Sequence, residues 1–452
     1  MSKHVKYISS DHYGAPQLLG DQWGYGVEML RKCLCEGFNE RIDITDIEVI
    51  DKDHIKITYV SPHKYVSYQT IAVKGSELFE LNNEYFIESV TELTVTAKAY
   101  IDLTSMLNLK LSELSTVSSK VAPLGFIEKF RDGNKSAFTT DEEKAYFVMD
   151  DTQPASWDAT AVYTQLISPL VYMTDKMTDI NTDGKYIVPY DINNPTYYKT
   201  AHAANVNRNG LWSFITFGSN DYNGNSAAYR RTPQKYTIIG NGRFFYFLPD
   251  LKSYASGILT HIYAFGKFNS IKNNNMNDHI LIANNIQEQV YTNYERLEPY
   301  CIPAIANYTD TYYSINLPVT GRYNHAVLTY NNSIEAVTFS PGYYINISTL
   351  FISGSLGNYP DKTTGNIHLS YMNIHSVNTS NKLGSLPGYL YVYNINKTFF
   401  NNRMIKSLRH NNSLKNLYVL KSIYHSTRTR DTYTTQFLYF ISLDYSDWNN
   451  YD

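Results

Sequence analysis

The sequence predicts a mainly β protein, made of several sandwich-like or barrel-like modules with one N-terminal amphipathic helix. Short runs of alternating apolar and polar residues recur along the chain, and polar turns such as Tyr222–Asn225 separate them. Aromatic residues reach 15% and charged residues only 18%, below the roughly 25% of an average soluble domain. A chain of 452 residues is too long for one core of ordinary size, so several domains are expected.

The N-terminal region is predicted to contain an arm and the helix. Residues 1–20 are expected to form an extended arm with a turn at Gly14–Pro16. Apolar residues then repeat at helical spacing, at Val27, Leu30, Leu34 and Phe38. Gly37 stands where such a helix would stop, because glycine is common just after the last helical turn. We expect the helix to cover the open face of a small α+β domain at residues 21–121.

Two further β domains are predicted, a central one at residues 122–286 and a C-terminal one, rich in Tyr and Asn, at residues 287–452. The strand signal is alternation, and Ile55–Val60 alternates apolar and polar residues up to its last residue. Tyr389–Tyr393 is a strand candidate in the C-terminal domain. The segment Leu103–Leu114 fits either a second short helix or an inserted turn.

Charge, hydropathy and cysteine content exclude several classes of function. The formal net charge is -3, so the basic face of a nucleic-acid binder is not expected. No stretch approaches the ~18 apolar residues of a membrane span, and the first residues lack the apolar core of a signal peptide. The three cysteines provide neither a disulfide framework nor a zinc set. We therefore expect no nucleic acid, no membrane insertion, and synthesis in a reducing cytoplasm.

Catalytic motifs are also missing from the sequence. It contains no Gly-x-Ser-x-Gly elbow, no phosphate-binding loop and no His-Glu-x-x-His helix. The acidic clusters Asp141–Glu143 and Asp150–Asp151 would serve a glycosidase only if they faced each other about 5–9.5 Å apart. Solvated acids at a loop and a strand end are the simpler interpretation. The sequence therefore predicts no catalytic residue, no cofactor and no enzyme.

One acidic segment resembles half of a calcium-binding loop. Asp179, Asn181 and Asp183 alternate and are followed by Gly184, as oxygen ligands do at the start of an EF-hand loop. The twelfth position, which should carry a bidentate glutamate, is Tyr190. A turn rich in Asp and Asn is therefore favoured over a calcium site, and calcium remains the alternative.

Tyrosines are the residues that the sequence singles out for contacts with partners. Tyrosine combines an apolar ring with one hydroxyl group, which suits protein interfaces and stacking on sugars. The interface candidates are Tyr312, Tyr313, Tyr343, Tyr344, Tyr389 and Tyr391. Packing between subunits or within the core is favoured over sugar binding, because interfaces are rich in aromatic residues.

An ordered set of motifs carries a resemblance to a known family. The motifs are Tyr13–Pro16, Cys35–Phe38, Lys120–Phe126, Asn134–Ala137, Met149–Asp151, Met177–Asp183, Ile239–Phe245, Phe265–Ser270 and Leu386–Tyr389. Together they resemble a family of virion structural proteins encoded among the tail genes of tailed bacteriophages, including Mu-like phages. Lys120–Phe126 is the most specific of them. The segment Leu78–Val117 looks longer than in the family, and the C-terminal third is only loosely similar.

The resemblance implies a structural component of the virion, assembled in the host cytoplasm. Its expected place is the tail, baseplate or neck, where it would form a ring of identical copies and contact other virion proteins. Two alternatives remain at this point. One is a tail protein that binds a receptor or a glycan on the host surface, and the other is a tail enzyme that degrades a surface polysaccharide.

Overall fold

A computed structural model of the chain confirms the predicted fold class. The protein is mostly β. Among the described residues all strand pairs are antiparallel, and the single α-helix is short and lies near the N-terminus. The described residues are 5–19, 22–107, 109–112, 116–153, 169–183, 187–188, 210–211, 233–253, 257–260, 262–271, 278–282, 284–285, 326–328, 334–341, 370–376, 381–392, 404–410, 413–425 and 434–448.

The N-terminal region contains the helix and nine strands. Helix α1 covers Tyr25–Arg31 and continues as a π-helical turn at Lys32–Glu36, and short 3₁₀ turns lie at Phe79–Leu81 and Thr104–Met106. The strands are β1 (Lys6–Ser9), β2 (Phe38–Arg41), β3 (Ile44–Val49), β4 (His54–Tyr59), β5 (Thr70–Lys74), β6 (Glu84–Val90), β7 (Thr94–Ala99), β8 (Lys110–Ser112) and β9 (Ser118–Val121). The uncertain segment after Leu103 is thus a 3₁₀ turn followed by a strand.

Strands β2 to β9 form one eight-stranded sheet in the order β2-β9-β5-β6-β7-β4-β3-β8. Only Ile42 and Asp43 separate β2 from β3, although six steps of the sheet lie between them. A flat sheet would place these strands roughly 29 Å apart, at about 4.8 Å per step. Three Cα steps reach at most about 11 Å. The sheet must therefore curl back on itself.

The amphipathic helix lies where its apolar pattern predicted. Val27, Leu30 and Leu34 are all 0% exposed and belong to the same core cluster as the inner face of the eight-stranded sheet. Gly37 ends the helical segment with a φ of 81°, which a residue with a side chain rarely adopts. Phe38, which the pattern included in the helix, instead begins β2 and is still buried.

The central region contains a second, seven-stranded sheet. Its order is β10-β11-β12-β13-β17-β24, with β16 also paired to β13, and the short hairpin β14–β15 stands apart. The strands are β10 (Ile127–Asp132), β11 (Lys135–Thr139), β12 (Tyr146–Asp150), β13 (Leu170–Thr174), β14 (Met177–Asp179), β15 (Thr182–Asp183), β16 (Ile187–Val188) and β17 (Gly210–Leu211).

The remaining strands join β1 in a fourteen-stranded sheet, except β24, which belongs to the seven-stranded sheet. They are β18 (Tyr236–Gly240), β19 (Phe244–Ser253), β20 (Gly257–Thr260), β21 (Tyr263–Lys267), β22 (Asn269–Ser270), β23 (His279–Ile282), β24 (Asn284–Asn285), β25 (Ala326–Leu328), β26 (Ile334–Pro341), β27 (Ser370–Ser376), β28 (Lys382–Val392), β29 (Met404–His410), β30 (Ser413–His425) and β31 (Thr434–Ser442). A last 3₁₀ turn lies at Tyr445–Asp447.

This large sheet folds over on itself. Its path runs β1-β18-β19-β21-β23-β25-β26-β27-β28-β31-β30-β29, and β22, which follows β21, pairs with the distant β28. The hydroxyl of Tyr246 donates to the carbonyl of Pro387 at 2.8 Å, which ties β19 to β28. The two halves of the sheet therefore face each other and enclose a second apolar core.

The described apolar residues of β18, β19, β21 and β23 are buried on both faces of the sheet. Ile238, Phe245 and Phe265 belong to the core cluster that contains α1 and the eight-stranded sheet. Ile239 and Phe244 belong to the second cluster, with the C-terminal strands. Neighbouring residues of one strand thus enter different cores, because side chains alternate across a sheet.

The fourteen-stranded sheet combines strands from the central and the C-terminal regions of the sequence. Residues 122–286 are divided between the seven-stranded and the fourteen-stranded sheet, and the second of these extends through the C-terminal region. The predicted arm is extended, but β1 pairs with β18 of its own chain. Val5, Ile8 and Leu18 are buried there. The sequence pattern located the strands, but their partners lie far away along the chain.

Candidate functional site

The motif Lys120–Phe126 connects the helical segment to strand β19 of the fourteen-stranded sheet. The N–H groups of Leu124 and Gly125 donate to the carbonyls of Cys33 and Leu34, both at 2.9 Å. These carbonyls lie in the last helical turn, where no partner within the helix is available. The ring of Phe126 packs edge-to-face on that of Phe245 with centroids 5.3 Å apart. The segment thus caps the C-terminal end of the helical segment and places Phe126 in the core.

Other motifs place glycine where two chain segments approach closely. A Cβ on Gly266 would lie 2.2 Å from the carbonyl oxygen of Arg243, and the φ of this glycine is 142°. A Cβ on Gly388 would lie 2.3 Å from the indole nitrogen of Trp448. Real Cβ atoms do not tolerate such distances. The motifs that carry the resemblance therefore include positions at which packing requires glycine.

Asp151 is a buried acid at the start of the helix. Its side chain is 0% exposed, and its Oδ2 accepts a hydrogen bond from the N–H of Gly26 at 2.8 Å. Burial raises the pKa of Asp151 to about 7, although the N–H groups of Gly26, Gly24 and Val27 oppose this shift. This residue was predicted only as half of a solvated acidic pair. The prediction is wrong for Asp151, because folding places it at the N-terminus of α1.

The other acidic cluster forms ordinary surface ion pairs. Glu143 contacts Lys129 at 2.7 Å, and Glu142 contacts Lys267 at 3.4 Å. The bond from Lys129 is the main cause that lowers the pKa of Glu143. An acid catalyst would need a raised pKa. These carboxylates therefore have the properties of solvated, paired acids.

The candidate calcium ligands lie on the hairpin β14–β15. The Oδ1 of Asp179 accepts the N–H of Asn181 at 2.8 Å, and its Oδ2 accepts the hydroxyl of Thr182 at 2.6 Å. The bond from Thr182 is the first cause that lowers the pKa of Asp179. Asp183 pairs with Met177 across the hairpin. Both oxygens of Asp179 thus hold the turn, as expected of an Asp- and Asn-rich turn.

Sequence reasoning missed another group of possible metal ligands. Asp51, Asp53 and His54 lie at the β3–β4 turn, and they are the only group of three such ligands within 4.8 Å of one another among the described residues. The Nδ1 of His54 lies 2.8 Å from Asp51 and 2.9 Å from Asp53. Burial lowers the pKa of His54, but Asp51, Asp53 and Glu88 raise it further. The net rise in this pKa favours the protonated ring, which is a partner for these acids.

The tyrosine candidates have different outcomes. Tyr389 is 0% exposed and packs against Tyr246 at a centroid distance of 5.8 Å. Its ring lies in the second core of its own chain, and packing within the core was one of the two favoured interpretations of these tyrosines. Tyr391 lies on β28 opposite Tyr439 of β31. The remaining candidates lie outside the described residues: Tyr312, Tyr313, Tyr343 and Tyr344.

An exposed apolar surface lies at one end of the eight-stranded sheet. Ile42, Val60 and Leu93 are 73%, 67% and 40% exposed. The N–H of Val60 donates to the carbonyl of Asp43, and that of Tyr59 to Leu93, so the three side chains belong to adjacent strand ends. We call these three residues the apolar end. Its signal in the sequence was Val60, where the alternation of β4 breaks.

Two buried ionic groups hold distant segments together. The Nζ of Lys6 donates to Glu84 at 2.6 Å and also to the carbonyls of Pro123 and Leu124. Asp447 is 1% exposed and accepts bonds from Tyr371 at 2.7 Å, Ser442 at 2.5 Å and Lys415. Buried charges require such partners, and these groups therefore have a structural role.

No protein-family model matches this chain, and no curated protein matches it in sequence. None of the helices in the described part of the chain has the length and apolar content needed to cross a membrane.

Proposed function

We propose that the chain is a structural component of a tailed-bacteriophage virion, in the tail, baseplate or neck. It would act by symmetric assembly with copies of itself and with other virion proteins, after synthesis in the host cytoplasm. The observation that carries the proposal is the ordered set of motifs. Several of these motifs occupy positions that close the helix or join the sheets. The resemblance therefore concerns the residues that determine the architecture.

The surface of the described residues supports assembly by protein contacts. The apolar end presents three aliphatic side chains to solvent at adjacent strand ends of the eight-stranded sheet. Contiguous exposed apolar residues commonly mark sites of protein association. In a closed ring, each copy repeats the same contact, so weak contacts add up. We therefore place a contact between copies at the apolar end.

A tail protein that binds a host receptor or glycan is the second candidate. Its support is the exposure of two aromatic side chains, Phe79 at 83% and Tyr13 at 60%. Exposed rings suit stacking on sugars, but a glycan site usually needs polar groups that converge beside the ring. Phe79 lies in a 3₁₀ turn between β5 and β6. The structural role is favoured because its motifs extend through most of the chain.

Quantitative mass spectrometry of purified particles tests the proposal. The chain should be present in a fixed number of copies relative to other virion proteins, at the multiple that a ring requires. A matched control is a nonstructural protein of the same infection, which should be lost during purification. Loss of the chain together with that control would contradict the proposal.

A further inference from the structure

Asp151 occupies a contact between three elements. It follows β12 directly, and its own N–H donates to the carbonyl of Asn134 in the β10–β11 turn at 2.9 Å. Its Oδ2 accepts the N–H of Gly26 in α1. The side chain of Asn134 packs against Gly24, where an added Cβ would lie 2.6 Å from its Oδ1. One carboxyl group thus connects the helix to the seven-stranded sheet.

This carboxyl group is poorly compensated for a charge. Its Oδ1 is buried without a hydrogen-bond partner among the described residues. The charged side chains on the elements around it are Glu28 and Arg31 on α1, Glu128, Lys129, Arg131 and Asp132 on β10, Lys135 on β11, and Asp150 beside it. Glu28 pairs with both Arg31 and Arg131. None of the described basic side chains forms an ion pair with Asp151.

We propose that Asp151 is a proton-controlled clamp between α1 and the seven-stranded sheet. With a neutral carboxyl group, the first turn of α1 docks on the end of β12. Ionisation places a negative charge without an ion-pair partner in this contact and loosens it. The opened contact exposes the carboxylate to water, which solvates the charge. This inference does not depend on the place of the protein in a particle.

The direction of the effect follows from the pKa. Burial raises the pKa of Asp151 to about 7 in the docked state, and the usual value is 3.8. The docked state therefore binds the proton more tightly than an opened state with the carboxyl group in water. Docking is strongest below about pH 4, weakens as the pH rises towards 7, and changes little above that value.

Hydrogen exchange of the full-length chain, followed by mass spectrometry between pH 5 and pH 8, tests the clamp. After correction for the intrinsic exchange rate, protection of the amides at residues 25–31 should fall about tenfold per pH unit from pH 5 to pH 7. A peptide from β23 serves as the internal reference and should keep its protection. In Asp151→Asn, which is neutral at every pH, protection of α1 should be independent of pH.

Asp150→Asn is the matched control, because it changes the adjacent acid, which is not fully buried. This variant should keep the fall in protection with rising pH, displaced only slightly, because the charge of Asp150 is the smallest of the named causes that shift the pKa of Asp151. If Asp151→Asn fails to fold, the wild-type and Asp150→Asn profiles still decide the question. A flat profile in both would overturn the proposal. It would also be overturned by protection of α1 that rises with pH, or by an equal loss of protection in β23.

Discussion

The eight-stranded sheet and the strands β18 to β23 are both antiparallel, but they bury their side chains differently. In β4 and β7, buried and partly buried residues alternate along the strand. In β18, all five residues are buried, and in β23 all four are. The first sheet has one face in a core, and the second has a core on each face. Their sequences differ accordingly, since His54–Tyr59 alternates and Phe244–Leu248 is continuously apolar.

The difference in burial predicts which substitutions the fold tolerates. Strands β18, β19, β21 and β23 lie between two cores, so their described side chains contribute to packing. The eight-stranded sheet has partly exposed residues on its other face, and the apolar end lies at the ends of its strands. We therefore expect substitutions in the strands between the two cores to lower the free energy of unfolding. Substitutions at the apolar end should instead affect association with other molecules.

Removal of an aromatic ring should separate the two regions most clearly. Phe245→Ala empties a position that is 0% exposed, and we expect it to lower the free energy of unfolding by about 3–5 kcal/mol. The matched variant is Phe86→Ala on the half-buried face of β6, with an expected loss of about 1 kcal/mol. Denaturant titration measures both. Equal losses would contradict the assignment of two cores to the central strands.

The second prediction concerns the attachment of β1 to the central strands. Burial lowers the pKa of His12 to about 4, and its Nδ1 accepts the N–H of Ser9 at 3.2 Å. This depressed pKa gives stability that is present above pH 6.5 and lost as the pH falls towards 4, up to about 3 kcal/mol. His12→Gln should remove this dependence. The raised pKa of Asp151 makes stability fall as the pH rises in the same range. The free energy of unfolding of the variant must therefore be subtracted from that of the wild-type protein at each pH. A difference that is constant from pH 4 to pH 7 would contradict the buried neutral imidazole.

Glycine positions in the central strands should be less tolerant than glycine in the exposed turns. Gly266→Ala places a Cβ 2.2 Å from a carbonyl oxygen at a φ of 142°, so we expect a loss of about 1–3 kcal/mol. Gly133→Ala in the β10–β11 turn has a positive φ but no atom within 4 Å of the new Cβ. Thermal unfolding should show a smaller decrease in Tm for the second variant. The reverse order would mean that close packing at Gly266 is absent.

The smallest effect on stability is expected at the apolar end. The triple variant combines Ile42→Ser, Val60→Ser and Leu93→Ser. Each substitution should change the free energy of unfolding by no more than about 0.5 kcal/mol. They should, however, weaken self-association as measured by sedimentation velocity. Phe79→Ser is the control, because this ring is 83% exposed at a different place on the sheet. Unchanged association in the triple variant would exclude the apolar end as the contact between copies.

Local patterns predicted the local structure. The helical spacing of Val27, Leu30 and Leu34 identified the one α-helix and its buried face, and the alternation in Ile55–Tyr59 identified β4. Both signals depend only on neighbouring residues, which is why sequence alone was sufficient. Such patterns do not predict which strands pair, because partners such as β1 and β18 are distant along the chain.

The roles of the buried polar residues could not be predicted from the sequence, because their partners are also distant along the chain. Asp151 and Gly26 are separated by 125 positions, and Lys6 and Glu84 by 78. No periodicity reports such a contact. Sequence alone does not separate the two roles considered for Tyr389, since a tyrosine suited to interfaces is equally suited to a core in which its ring packs on other aromatic residues.

Cryo-electron microscopy of the intact particle tests the central claim most directly. We expect density that fits the three sheets of this chain in several symmetric copies. These copies should lie between other tail, baseplate or neck proteins, and a neighbouring subunit should cover the apolar end. A chain that projects outward with Phe79 and Tyr13 facing the host would favour the receptor- or glycan-binding alternative. A particle reconstructed at side-chain resolution without this chain would contradict the claim.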